Sequence, residues 1–148
     1  MLKKILFATD GSENSRKAME FAVDMAGRYD ARVYLVHVVS SHEIPKDVLE
    51  YVHAEDIKDS AASIYLDKLG EKIIGQCELD VRERGCEDFR TIVVRGNAAD
   101  LILEIAKGKE VDAIIMGSRG LGTIKSTLLG SVSRKISNAA ECTCIIVK

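Results

Sequence analysis

The chain has no tryptophan, a single proline, and only three Phe and four Tyr. So few aromatics leave no platform on which the bases of a single-stranded nucleic acid would stack. An excess of one charge is missing too: 21 Lys and Arg face 23 Asp and Glu, net −2, so no basic face draws DNA, RNA or an anionic membrane. Nothing approaches the roughly 18 apolar residues of a membrane span. The opening Met1-Leu2-Lys3-Lys4-Ile5-Leu6-Phe7-Ala8-Thr9-Asp10 begins with lysines as a signal peptide does, yet its apolar run stops at Asp10, too short for an h-region with a cleavage site. A cytoplasmic protein with no membrane or nucleic-acid partner is expected. Cysteine is sparse. Cys77 and Cys86 fall in a charged stretch, and Cys142 and Cys144 stand two apart in a strand-like run. At strand rise that spacing puts their Cα atoms about 6.6 Å apart, near the upper limit for a disulfide. Reduced thiols are expected, and no metal site, because the pair lacks a second pair of ligands.

What is present is a globular balance, 47% apolar and 30% charged. Residues 1–148 read as one domain, large enough to bury roughly 70% of the surface its unfolded chain exposes. No linker, repeat or low-complexity segment divides it. Ile5 to Thr9 reads as a buried strand, Asp10-Gly11-Ser12 as a turn, and Ser12 as the cap of a helix carrying Ala18, Ala22, Met25 and Ala26 at helical spacing. Arg32 to Val39 is apolar at nearly every position, as a strand covered on both faces is. Ser40 to Lys46, with Pro45, is a connection. From about Val48 or Ala54 to Arg84 the pattern is helical, with Ile57, Ala61, Ile64, Leu69 and Ile73 on one stripe. Phe89 to Val94 is a third strand. Asn97 caps the next helix, Leu101, Ile102, Ile105 and Ala106 face inward, and Gly108 ends it. Val111 to Met116, a helix from Ser131 or so to Ala140, and Thr143 to Val147 complete the series. Alternating strands and helices imply an α/β, doubly wound, Rossmann-like sheet of five parallel strands with helices on both faces.

One passage departs from this regularity. After the strand ending at Met116 come Gly117-Ser118-Arg119-Gly120, nine further residues, then Gly130-Ser131-Val132-Ser133 before the last helix. A glycine-rich turn into a helix offers unpaired N–H groups, backed by the helix's positive end, to an anion such as phosphate. In open parallel sheets ligands bind beyond the carboxyl ends of the strands, where the strand order reverses. Ala8-Thr9-Asp10, Val38-Val39 and the glycine-rich segment would therefore line one crevice, with Asp10 suited to a ribose hydroxyl or an adenine amino group. Arg119 and Lys125 lie within side-chain reach of phosphates. No glycine-lysine pair precedes a Ser or Thr, and no dinucleotide fingerprint follows the first strand, which argues against a motor-type ATPase or a dehydrogenase. His37 reads as a core or rim histidine, while His42 and His53 fall in or near the connection. No spacing joins a histidine to an acid and a nucleophile, so no catalytic residue is assigned.

With these motifs in place the sequence resembles the universal stress proteins, in their ATP-binding branch, over essentially its whole length. Lys3-Lys4-Ile5-Leu6-Phe7-Ala8-Thr9-Asp10-Gly11-Ser12 looks like the family's opening strand and turn. Met116-Gly117-Ser118-Arg119-Gly120 with Gly130-Ser131-Val132-Ser133 is similar to its nucleotide motif, GxxG, nine residues, then G followed by Ser or Thr. The resemblance implies ATP, or AMP or ADP, at the strand ends with Mg²⁺ or Mn²⁺. Main chain near Ala8, Thr9 and Val38 and the Asp10 side chain would hold adenine and ribose. Met116, Gly117, Arg119, Gly120, Gly130, Ser131, Val132 and Ser133 would surround the phosphates and ribose. It implies a homodimer through the last strand, about Cys144 to Val147. Arg119 stands where the family often has histidine, and Glu141 and Thr143 flank Cys142 where prolines are frequent. The expected function is a nucleotide-dependent regulator in stress response. The rivals are a slow hydrolase, with Ser131, Ser133 and a divalent ion positioning water and Asp10 or Asp112 assisting, and a dimeric scaffold with a vestigial site.

Overall fold

The computed structural model describes residues 1–40, 60–120 and 128–148. Strands and helices alternate as β1 Lys4–Ala8, α1 Glu13–Tyr29, β2 Arg32–Val39, α2 Ser60–Glu83, β3 Phe89–Arg95, α3 Ala98–Lys109, β4 Ala113–Gly117, α4 Ser131–Ala139 and β5 Thr143–Val147. The strands form one parallel sheet in the order β3-β2-β1-β4-β5. The order reverses between β1 and β4, where Ala8 pairs with Met116.

Alternation along each strand sorts the apolar residues into two layers. Ile5, Phe7, Val33, Leu35, Phe89 and Ile115 pack under α1 and α2, against Ala18, Ala22, Ala26, Ile74 and Val81. Leu6, Ala8, Val36, Val38, Ile114 and Met116 pack under α3 and α4, against Ala99, Ile102, Ala106 and Ile136. With both faces covered, the inner strands have little polar side to show, which is why β1, β2 and β4 read as almost wholly apolar runs. Among the described residues no helix is long and apolar enough to cross a membrane.

Two sequence expectations are corrected. The buried line of α2 is Leu66, Ile74, Cys77 and Val81, while Ile64 is 56% exposed. Gly70 explains the rotation: a Cβ there would lie 2.9 Å from Val39 Cγ2, so the helix turns its glycine to the sheet and approaches β2 closely. Ile57, Pro45, His42 and His53 fall outside the described residues, as does the Ala61 side chain. Gly108 does not end α3. Glu110 takes the left-handed conformation, φ 53°, and the Val111 and Glu110 amides donate to the Ala106 and Lys107 carbonyls. Burying Val111 under the sheet fixes the stop two residues later than glycine alone suggested.

The cysteines are free thiols. Cys77, read as part of a charged stretch, is a core residue, and burial pushes its thiol up to about 12. Burial also raises Cys86, Cys142 and Cys144.

Candidate functional site

The crevice is built first from the end of β1. The Thr9 amide donates to the Val36 carbonyl at 2.9 Å, carrying the β1–β2 pairing one residue past the strand. Asp10 then makes an Asx-type turn, its Oδ1 accepting from the Ser12 amide at 2.9 Å. Ser12 caps α1 by accepting from the Ser15 amide at 3.2 Å. Ser15 donates its only hydroxyl proton to the Ser12 carbonyl at 2.8 Å, so the 3.2 Å contact between Thr9 Oγ1 and Ser15 Oγ must be donated by Thr9. Thr9 Oγ1 also accepts from the Gly11 amide at 3.2 Å. The turn carrying Asp10 is thus pinned from both sides.

The second wall is the glycine-rich segment. A Cβ at Gly120 would overlap Asp10 Oδ2, so glycine there lets the two loops meet at one spot. The ends of the segment are stitched at Ser118, whose carbonyl accepts from the Gly130 amide at 2.8 Å and from Ser133 Oγ at 3.0 Å. Ser133 Oγ lies 3.1 Å from the Gly130 carbonyl as well. At 3% exposure, Ser133 is a staple between the two glycine-bearing ends. Ser131 and Val132 are exposed at the start of α4.

That start is unusual within this molecule. Ser12 caps α1 and Asn97 caps α3, each side chain accepting an amide of the first turn, but Gly130 before α4 offers no side-chain cap. Among the described residues no cap side chain takes the first-turn N–H groups of α4, the groups that a helix start offers to an anion.

The predicted residues divide by position. Ala8, Val38 and Met116 are buried on the α3/α4 side of the sheet, and Thr9 is buried at the end of β1. Gly117 pairs with Val147. Asp10, Gly120 and the first turn of α4 stand at the carboxyl ends of β1 and β4. Arg119 lines a cavity of about 190 Å³ with Asn14, Ser118, Leu128, Leu129 and Lys148, and its Cα lies 3.6 Å from where a Cβ on Gly130 would stand. Lys125 falls outside the described residues. Asp112, read as an assistant to hydrolysis, stands at the opposite end of the sheet. Its Oδ2 accepts from the Lys3 and Lys4 amides at 2.6 and 2.8 Å, which holds its carboxyl below the usual carboxylate range.

Sequence reasoning missed Ser15 and Asn14. Ser15 was legible as the third residue after the cap, in Ser12-Glu13-Asn14-Ser15. Asn14, whose Nδ2 donates to Ser118 Oγ at 3.4 Å, had no local signal, because its partner is distant in sequence.

The profile of the universal stress protein family matches residues 1–148. Universal stress protein YxiE of Bacillus subtilis is 34% identical over 151 residues, with 100% of both chains covered. The solved structure of MJ0577, a universal stress protein of Methanocaldococcus jannaschii, superposes with a TM-score of 0.74 at 30% identity, covering 100% of this chain and 96% of that one. A universal stress protein crystallised in complex with cAMP shares the fold, with a TM-score of 0.70 at 23% identity over 99% of this chain and 96% of its own. Sequence likeness and fold agree over the full length, the glycine pattern lies at the strand ends where the motif reading required it, and the chain belongs to the universal stress protein family.

Proposed function

We propose that this protein binds an adenine nucleotide, ATP or else ADP or AMP, at the carboxyl ends of β1 and β4, and that the bound nucleotide makes it a regulator in stress response. The observation that carries this reading is that, at the same end of the sheet, the first turn of α4 has no side-chain cap from Gly130 and Gly120 meets Asp10. An anion receptor and a carboxylate in one crevice suit a ligand with phosphates at one end and hydroxyl or amino donors at the other. Phosphates would lie over Gly130, Ser131 and Val132. Asp10 would accept from ribose or adenine, and main chain at Ala8, Thr9 and Val38 would edge the base, with Met116, Gly117 and Gly120 beneath. The cAMP complex of a protein with this fold supports the adenine nucleotide class. Among the described residues no three His, Cys, Asp or Glu side chains gather into a metal site, so Mg²⁺ or Mn²⁺ would be carried by the phosphate oxygens.

Binding rather than turnover is the activity we assign. The Ser133 hydroxyl proton is directed at two carbonyls, and Asp112 is at the far end of the sheet. Arg119, whose Cα lies beside Gly130, would reach phosphate with its side chain.

The sheet edges support a homodimer through β5. The β3 edge carries Arg90 and Arg95, whereas Cys144 to Val147 of β5 present no charge and are only half-buried. An apolar, uncharged edge is covered most simply by its own copy across a two-fold axis.

Calorimetric titration with Mg-ATP tests the reading. Saturable binding is expected, and ATP at about 100 times its dissociation constant should add about 2.7 kcal/mol of stability. No heat and an unmoved melting temperature at millimolar ATP would refute it. Mass spectrometry of nucleotide released on denaturation checks the same point: intact ATP supports binding, ADP would move the assignment to hydrolysis.

A further inference from the structure

His37 sits at 0% exposure in a strand that is otherwise apolar around it, Arg32–Val39. Enclosing an imidazole costs free energy unless its polar atoms are used. Its Nδ1 lies 2.8 Å from the carbonyl oxygen of Thr9. A carbonyl only accepts, so Nδ1 carries the proton and donates. That carbonyl belongs to the peptide joining Thr9 to Asp10, the hinge on which the Asp10 side chain turns. The ring is held in turn by α2. Gly70 lies against it, and a Cβ there would stand 3.4 Å from His37 Cδ2 and 2.9 Å from Val39 Cγ2. Beyond the peptide, Asp10 Oδ1 accepts from Ser12, Thr9 Oγ1 accepts from Gly11, and Asp10 Oδ2 faces Gly120.

We propose that His37 is a positioning residue for the crevice: through the Thr9 carbonyl it fixes the Thr9–Asp10 peptide and so aims the Asp10 carboxylate at the ligand. The inference rests on the nucleotide reading of that crevice. It assigns to a buried residue, which touches no ligand, the orientation of one that does, and it makes the packing of α2 on β2 part of the site.

The test compares Mg-ATP affinity by calorimetry at one pH for the wild-type protein and for His37→Asn, His37→Gln and His37→Leu, each also combined with Asp10→Ala. Asparagine offers an N–H near the place of Nδ1, glutamine near that of Nε2, and leucine offers none. Leu and Gln are expected to weaken binding about tenfold, the size of one lost hydrogen bond, while Asn stays within about threefold of wild type. In the Asp10→Ala background the three substitutions should change affinity no further, since their effect passes through the missing carboxylate. Leu or Gln binding as the wild type does, or full additivity with Asp10→Ala, overturns the proposal. Should the Leu variant fail to fold, the Asn and Gln pair carries the same comparison.

A readout that needs no ligand separates this inference from the nucleotide reading. Amide resonances of Gly11 and Ser12 report the Asp10 turn, and they should move in the Gln variant and return in the Asn variant. If they do not move, His37 does not set the turn, whatever ATP does. If they move while the wild type takes up no ATP, the positioning stands and the assigned ligand is wrong.

Discussion

At Gly120 any side chain runs into the Asp10 carboxylate. Gly120→Ala is therefore expected to push Asp10 off its position and weaken ATP binding by about tenfold or more, with little loss of ligand-free stability because the cost falls on a loop. Calorimetry beside thermal melting separates the two effects, and unchanged affinity would remove Asp10 from the site. That Asp10 closes the first strand and opens the turn at Gly11 was legible in the sequence. Its partner was not. Nothing local at Gly120 indicates which side chain it must make room for. Arg119, one residue earlier, stands beside Gly130 and lines a cavity with Asn14 and Lys148, neighbours distant in sequence.

Among the elements, the helix starts carry the sharpest tests. Ser12→Ala removes the acceptor of the Ser15 amide and is expected to cost about 1 kcal/mol in chemical denaturation. At α4 the opposite change is informative. Gly130 has φ −62°, a conformation open to any residue, and a Cβ there meets Ser118 O at 3.4 Å. Gly130→Asp should supply the missing cap, leaving the protein as stable or a few tenths of a kcal/mol more so, while its charge occupies the place of phosphate and abolishes ATP binding. A variant that is stabilised and still binds ATP would separate the helix start from the ligand. The caps of α1 and α3 were readable because a cap is a contact within one turn. The buried face of α2 was not readable from its apolar residues, because a glycine facing β2 decided the rotation and glycine carries no hydropathy signal. For the same reason Ile64, apolar and in phase with its neighbours, ends up outside.

Across the whole molecule, the two ends of the sheet have different duties. At the amino end Asp112 ties the start of β1 to the start of β4 through the Lys3 and Lys4 amides. Because its folded-state pKa is lowered, its contribution is present above the unfolded carboxylate value, about 3.9, and is lost as pH falls through the folded value. Asp112→Asn should cost about 1 kcal/mol at neutral pH, the carboxylate being partly solvated, and the gap to wild type should close on acidification below about pH 4. Denaturant melts across that range check the sign, and a gap that widens would be fatal to this account. At the lateral edge, Ile146→Lys places a charge on the strand proposed to pair across the two-fold axis, and sedimentation should shift from dimer to monomer with ATP binding retained. A monomeric wild type would end the proposal for β5.

By itself the sequence determined the order of the elements, the parallel sheet and the segment bearing the glycines. These follow from periodicity, capping and turn chemistry, which act over a few residues, and from the need to cover both faces of an apolar strand. Only the tertiary structure decided which groups share the crevice: that Asp10 Oδ2 meets Gly120, that Ser118 stitches the glycine-bearing segment, that His37 holds the Thr9 carbonyl, and that Asp112 lies apart from it. These contacts join residues brought together by packing the layers. Their geometry depends on close approaches at Gly70 and Gly120 that no local pattern encodes.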